Sequence, residues 1–275
     1  MSRLFITDMD GTLLGNDARV SRLSAEIISG LSRDGALITV ATARTPATVE
    51  PLLADTFTSI PAIVLTGAAM WDRDTQRFFN VHTMPDGSVG WIIRTFADHG
   101  ISPFVYTLPS SGPMNVYHSR QLTPQEKNFY IDRAHLRLKR FTFQRELSPT
   151  LMEGTPVLML GIAPIQSIMA LAGVLRDTGL LSVTAYPDIF NPSTGYIEVF
   201  AAGVSKAAAI IELRELIGAD TITAYGDNLN DIPMLMIADD AVAVGNALDE
   251  VKQAASRVIG PNTASSVAQD ILQHF

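Results

Sequence analysis

The stretch that most constrains this chain is its opening run, Leu4-Phe5-Ile6-Thr7-Asp8-Met9-Asp10-Gly11-Thr12-Leu13-Leu14. Leu4, Phe5 and Ile6 read as a short buried strand, and two carboxylates follow at alternate positions. Gly11 ends the strand, because glycine accepts the backbone angles of a sharp turn. Side chains alternate along a strand, so Asp8 and Asp10 share a face and lean over one spot at the edge of a sheet. Carboxylates that close repel each other unless a cation or a shared proton intervenes, and a metal-assisted site is the economical expectation. A calcium loop is excluded. Such a loop needs glycine at its sixth position and Glu at its twelfth, whereas here glycine comes fourth and Arg19 stands twelfth. The plain alternative is that strand ends collect Asp and Gly as turn residues.

The next stretch decides how that strand is housed. Leu23, Ile27, Ile28 and Leu31 have helical spacing up to Gly35, and Ala36–Ala41 reads as a buried strand ending in Thr42-Ala43-Arg44. A short helix over 46–53 leads to a strand at Ala62–Leu65 and the turn Thr66-Gly67-Ala68. Strand, helix, strand, helix, strand is the signature of a parallel sheet with crossover helices, and ligands of such sheets sit beyond the carboxyl ends of the strands. Asp8, Thr42 and Thr66 all fall there. The texture then changes. A hairpin over 70–79 is followed by a helix around Val89–Phe96, strands near 102–106, 114–118 and 156–162, and helices at 124–133 and 165–176. The basic residues Arg133, Arg137, Lys139, Arg140 and Arg145 read as a solvated face or loop. The first texture resumes at Tyr196-Ile197-Glu198-Val199. The expected organisation is an α/β fold: a Rossmann-like parallel-sheet core from 1–83 and 189–275, with an α+β domain inserted at 84–188.

Gly226-Asp227-Asn228-Leu229-Asn230-Asp231 repeats the design of the opening run: an apolar strand, a glycine, then carboxylates. Asp227 and Asp231 are spaced to lie on one side of a helix starting there, although Asp at a helix start is also ordinary capping. Two acidic strand ends in one sheet amount to hard-cation chemistry, and Mg²⁺ is the expected ion. Composition narrows the partners. A net charge of −8 and a pI near 5.1 argue against nucleic acid or an anionic membrane. A small anionic substrate remains compatible, because a local metal and a few cations dominate a site. With no cysteine there is no disulfide, thiolate metal site or cysteine nucleophile. The opening apolar run is too short for a signal peptide and no stretch suits a membrane-spanning helix, so a cytoplasmic location is expected.

Together these motifs resemble the haloacid-dehalogenase-type phosphatases, specifically the Cof-like group with a large inserted cap (type IIB). The resemblance covers nearly the whole chain. It rests on Asp8-Met9-Asp10-Gly11-Thr12, Thr42 with Arg44, Gly203-Val204-Ser205-Lys206, Gly226-Asp227 with Asn230-Asp231, and Gly245-Asn246-Ala247. It implies a core strand order of 5-4-1-2-3 and Mg²⁺-dependent hydrolysis of small phosphate monoesters, sugar phosphates first. Asp8 would be the nucleophile and form an aspartyl-phosphate, while Asp10 would serve as acid and base. Mg²⁺ would be held by Asp8, the Asp10 carbonyl and Asp227, with Asp231 ligating through water or orienting the shell. Thr42, the backbone at Ala43, Lys206 and Asn230 would bind the phosphoryl oxygens, with Arg44 a further candidate.

The chain departs from that pattern at Ala43 and Ala207, where the family commonly has Gly, and at Thr66, where it usually has Asn. None of these removes a carboxylate. Gly203-Val204-Ser205-Lys206-Ala207 also resembles a Gly-x-Ser-x-Gly nucleophile elbow, but the five histidines offer no obvious triad partner. Two alternative functions fit the same motifs: a phosphoryl transferase or mutase, and a non-catalytic protein that binds a phosphometabolite.

Overall fold

The opening run forms β1 (Arg3–Thr7), in which Leu4, Phe5 and Ile6 are wholly buried. A kinked turn over Met9–Leu13 follows, with Gly11 at φ +75. Ser21 caps α1 (Arg22–Arg33): its hydroxyl accepts a bond from the Ser24 N–H at 3.0 Å, and Ala25, Ile28 and Leu31 form the buried stripe. β2 (Leu37–Val40), α2 (Pro46–Leu52) and β3 (Ala62–Val64) complete the alternation read from the sequence. β4 (Ala69–Asp72) and β5 (Arg77–Phe79) form the expected hairpin, and β4 pairs antiparallel with β3 on its other side.

The computed structural model describes residues 2–188 and 191–275. They divide into a first unit, Met1–Asn80 with Ser205–Phe275, and a second unit, Val81–Val204. The second unit runs α3 (Ser88–Asp98), β6 (Phe104–Leu108), β7 (Met114–Ser119), α4 (Pro124–Ile131), β8 (Lys139–Gln144), β9 (Thr155–Pro164), α5 (Ile165–Arg176), β10 (Leu181–Pro187) and β11 (Thr194–Ala201). Its sheet has the order β10-β11-β9-β6-β7-β8. On one face Ile92, Phe96, Ile168 and Leu171 from α3 and α5 pack with Val105, Tyr117, Met159, Ile197 and Val199 from the strands.

Two expectations need correction here. The second unit extends past residue 188, because β11 pairs antiparallel with both β10 and β9 and belongs to this sheet. Tyr196–Val199 is therefore not the resumption of the core. The 139–144 segment is likewise a strand, paired parallel with β7, and its first residue, Lys139, is buried instead of solvated. Arg137, Arg140 and Arg145 are exposed, as expected.

The chain returns to the first unit through α6 (Lys206–Ile217), β12 (Thr221–Gly226), α7 (Ile232–Met236), β13 (Asp240–Ala243), α8 (Asp249–Ala254), β14 (Arg257–Val258) and α9 (Ser266–His274). The five strands lie parallel in the order β14-β13-β12-β1-β2. β3 adjoins β2 through a single bridge, Ala41 to Ile63, so the order 5-4-1-2-3 is present with β14 added beyond it. In this register Thr7 lies beside Val40 and Tyr225, which brings the carboxyl ends of β1, β2 and β12 to one edge. Among the described residues, no helix is long and apolar enough to cross a membrane.

Candidate active site

β1 delivers Asp8 to that edge, where its N–H donates to the Tyr225 carbonyl at 3.0 Å. The turn that follows brings the first and last motifs together. At φ +75 Gly11 holds a conformation that side chains resist, and a Cβ there would collide with the Asp227 carboxylate. Thr12 donates from its hydroxyl to Asp227 Oδ1 at 2.7 Å. The Asn246 amide donates to the Gly11 carbonyl at 2.8 Å, and its own oxygen accepts from the Asn262 N–H at 2.9 Å. The turn is thus fastened to two other loops of the same edge.

Lys206 is the centre of the buried charge. Its ammonium donates to Asp8 Oδ1 at 2.6 Å and to Asp231 Oδ1 at 2.8 Å, and all three side chains are nearly or wholly buried. Ser205 caps α6, accepting the Ala208 N–H at 3.1 Å, and so fixes where Lys206 begins the helix. The other oxygen of Asp231 accepts the N–H groups of Asp227 and Asn228, each at 3.1 Å. Asp231 is thereby committed on both oxygens and braces the Asp227 turn.

Asp10 faces a different partner. Arg44 donates through Nε to Asp10 Oδ2 at 2.7 Å and through Nη2 to Oδ1 at 2.6 Å, a bidentate fork. Thr42 is buried at the end of β2, and its hydroxyl accepts the Arg44 N–H at 3.1 Å. Ala43 between them is exposed, as is Asn230, which has no side-chain partner among the described residues. Thr66 departs from the family pattern with a physical consequence. It is β-branched yet stands at φ +58, and its hydroxyl is buried with no partner.

Electrostatics follow from burial. Burial pushes Asp8 up to about 7, against the pull of Lys206. Burial also pushes Asp227 up to about 6, despite the Thr12 bond. The same burial opposes charge on Lys206, but Asp8 and Asp231 outweigh it and hold the ammonium above its ordinary value. The acidic group fits a hard divalent cation. Asp8, Asp227 and Asp231 each place a carboxylate oxygen within 4.8 Å of the others, and the ionised forms that burial disfavours are those a cation would restore.

Of the residues expected at the site, Asp8, Asp227, Asp231 and Lys206 converge, and Asp10, Thr42 and Arg44 adjoin them at neighbouring strand ends. What the sequence did not reveal is the bracing: the Thr12–Asp227 bond, the Arg44–Asp10 fork and the Asn246–Gly11 bond. Thr12 and Asn246 belong to recognised motifs, and that was the available signal. A family model described as haloacid dehalogenase-like hydrolase matches residues 5–271. The chain belongs to that family. Pyridoxal phosphate phosphatase YbhA of Escherichia coli is 25% identical, covering 100% of this chain and 99% of its own length. A Bacillus subtilis relative, 5-amino-6-(5-phospho-D-ribitylamino)uracil phosphatase YwtE, is 27% identical, covering 97% of this chain and 96% of its own. Among solved structures, a haloacid dehalogenase-like hydrolase from Bacteroides thetaiotaomicron superposes over 100% of both chains with a TM-score of 0.79 at 21% identity, showing the shared fold. The chain is therefore a haloacid dehalogenase-like hydrolase by family, with the fold that its motifs implied.

Proposed function

We propose that this protein hydrolyses phosphate monoesters of small metabolites in two steps on Asp8. The observation that carries this reading is the convergence of Asp8, Asp227 and Asp231 around Lys206 at the carboxyl edge of a parallel sheet. In the first step an Asp8 oxygen bonds to phosphorus, and the bond from phosphorus to the ester oxygen breaks. Asp10 gives its proton to the departing alkoxide. In the second step water attacks the aspartyl-phosphate and passes a proton to Asp10. The phosphorus–Asp8 bond breaks, and orthophosphate leaves.

Arg44 orients the Asp10 carboxyl for both transfers through its fork. Lys206 and the Thr42 hydroxyl supply positive charge and a donor to the phosphoryl oxygens, with the exposed Asn230 amide and the Ala43 N–H as further donors. Asp8, the Asp10 carbonyl and Asp227 would hold Mg²⁺, which offsets the charge between nucleophile and phosphate when bound. Asp231, committed to Lys206 and two N–H groups, orients that shell.

Leaving-group specificity is assigned to the second unit, with sugar phosphates the first class to test. The substrates for which two relatives are named, pyridoxal phosphate and 5-amino-6-(5-phospho-D-ribitylamino)uracil, belong on the same panel. The test is orthophosphate release from that panel, with Mg²⁺ and with EDTA. Metal-dependent release supports the proposal. Absence of release from every compound, with Mg²⁺ bound, overturns it in favour of a binding protein.

A further inference from the structure

The second unit carries a buried cation that the protein itself does not neutralise. Lys139 opens β8 and is 7% exposed. Its ammonium has no hydrogen-bond or ion-pair partner among the described residues. It stands 5.3 Å from the centroid of the Tyr106 ring. Strand register explains the neighbourhood. Lys139 lies beside Met114, and the next pair on the same face is Phe141 with Val116, which adjoins Tyr106. α4 covers part of this face, with the Tyr130 ring 5.1 Å from those of both Phe141 and Phe143.

A second cation stands near the first. Arg133, just past α4, lies 4.0 Å over the Phe129 ring and donates to the Phe129 carbonyl at 3.2 Å, with no carboxylate in reach among the described residues. The acids on this side are Glu198, which accepts the Tyr186 hydroxyl at 3.2 Å, and Asp188 and Asp132, whose charges act on the neighbouring Tyr196. Burial and the like charge of Arg133 pull Lys139 down to about 7. A cation–π contact contributes only about 0.5–2 kcal/mol, too little to offset burying an ammonium with no counter-charge. An apolar side chain would serve packing better. An anion drawn to both cations would supply what the protein omits.

We propose that Lys139 and Arg133 form a binding site on the second unit for a small oxyanion group, carboxylate or phosphate, with the Tyr106 ring as its floor. The chain contains four lysines, Lys127, Lys139, Lys206 and Lys252, so ¹³C-labelled lysine gives a spectrum that single substitutions assign. Each Cε signal is titrated with pH in the presence of malonate, inorganic phosphate, or chloride at matched ionic strength. The expected result is a saturable rise of about 1–3 units in the Lys139 midpoint with malonate or phosphate and none with chloride. Lys139→Met removes the signal, and Arg133→Met reduces the rise. The effective arm distinguishes a carboxylate ligand from a phosphate. A Lys139 midpoint unmoved by all three anions overturns the site. The Lys206 signal reports the first unit separately. If phosphate moves Lys206 alone and malonate also leaves Lys139 in place, this proposal is overturned whatever becomes of the catalytic one, whereas movement of Lys139 with Lys206 unmoved supports it independently of the catalytic reading.

Discussion

The Lys206 ammonium lies 2.6 Å from Asp8 Oδ1, although the two residues are 198 positions apart in the chain. With Asp231 it makes one buried triad of a cation and two carboxylates. Truncating Lys206 to Met leaves both acids buried without a counter-charge, which costs about 3–5 kcal/mol when one partner of a buried pair is lost. Lys206→Met is expected to lower the melting temperature and to reduce kcat by about 10²–10³ through loss of a charge at the transferring phosphoryl group. Thermal unfolding read beside steady-state kinetics checks both.

The Arg44–Asp10 fork should separate the two effects. Its side chains are 28% and 56% exposed, so solvent screens the pair. Arg44→Ala is expected to change stability by less than about 1 kcal/mol. Turnover should fall by about tenfold or more, because proton transfer depends on where the Asp10 carboxyl points. Arg44→Lys restores the charge without the fork and should recover only part of the rate. Full recovery would mean that charge alone suffices.

Gly11→Ala tests the turn directly. The substitution forces a Cβ into the Asp227 carboxylate at a backbone angle that costs about 1–3 kcal/mol for residues other than glycine. The expected outcome is an enzyme that needs far more Mg²⁺ for half-maximal activity. A Mg²⁺ titration of phosphate release measures it, and an unchanged half-point would separate the turn from the cation.

Lys139 makes stability depend on pH in a stated direction. Its folded pKa is about 7 against an ordinary 10.5, so between those values the unfolded chain binds the extra proton and stability rises with pH. Below pH 7 both states are protonated and the full penalty of burying the ammonium applies. Lys139→Met is therefore expected to stabilise the protein most below about pH 7, with the gain shrinking toward pH 10.5. Denaturant melts at several pH values show whether the gain follows that course.

Much of the first unit is legible in the sequence because its strands are short apolar runs ending in distinctive polar residues. Asp8, Thr42 and Asp227 each follow such a run, and parallel topology forces those ends to one edge. The second unit is harder to read. Lys139-Arg140-Phe141-Thr142-Phe143 alternates as a strand should, yet its charges and the neighbouring arginines suggest solvent. The Tyr106 ring beside Lys139 comes from β6, more than thirty residues earlier, and α4 folds back over the face from just upstream, which local spacing does not reveal. β11 has the apolar texture of a core strand, and only its antiparallel pairing to β9 and β10 assigns it elsewhere. The fork between Arg44 and Asp10 is equally non-local, since no spacing rule links a strand-end arginine to a turn in another motif.

The proposed role of Asp8 as nucleophile is tested most directly by trapping. p-Nitrophenyl phosphate has a leaving group that needs little help from an acid, so the Asp10→Asn variant should still be phosphorylated while water activation is slowed. After acid quench, peptide mass spectrometry should find a phosphoryl group on Asp8 in that variant with Mg²⁺ present, and none in Asp8→Asn. Phosphate release that persists in Asp8→Asn, with no phosphorylated peptide in either variant, would contradict Asp8 as the nucleophile.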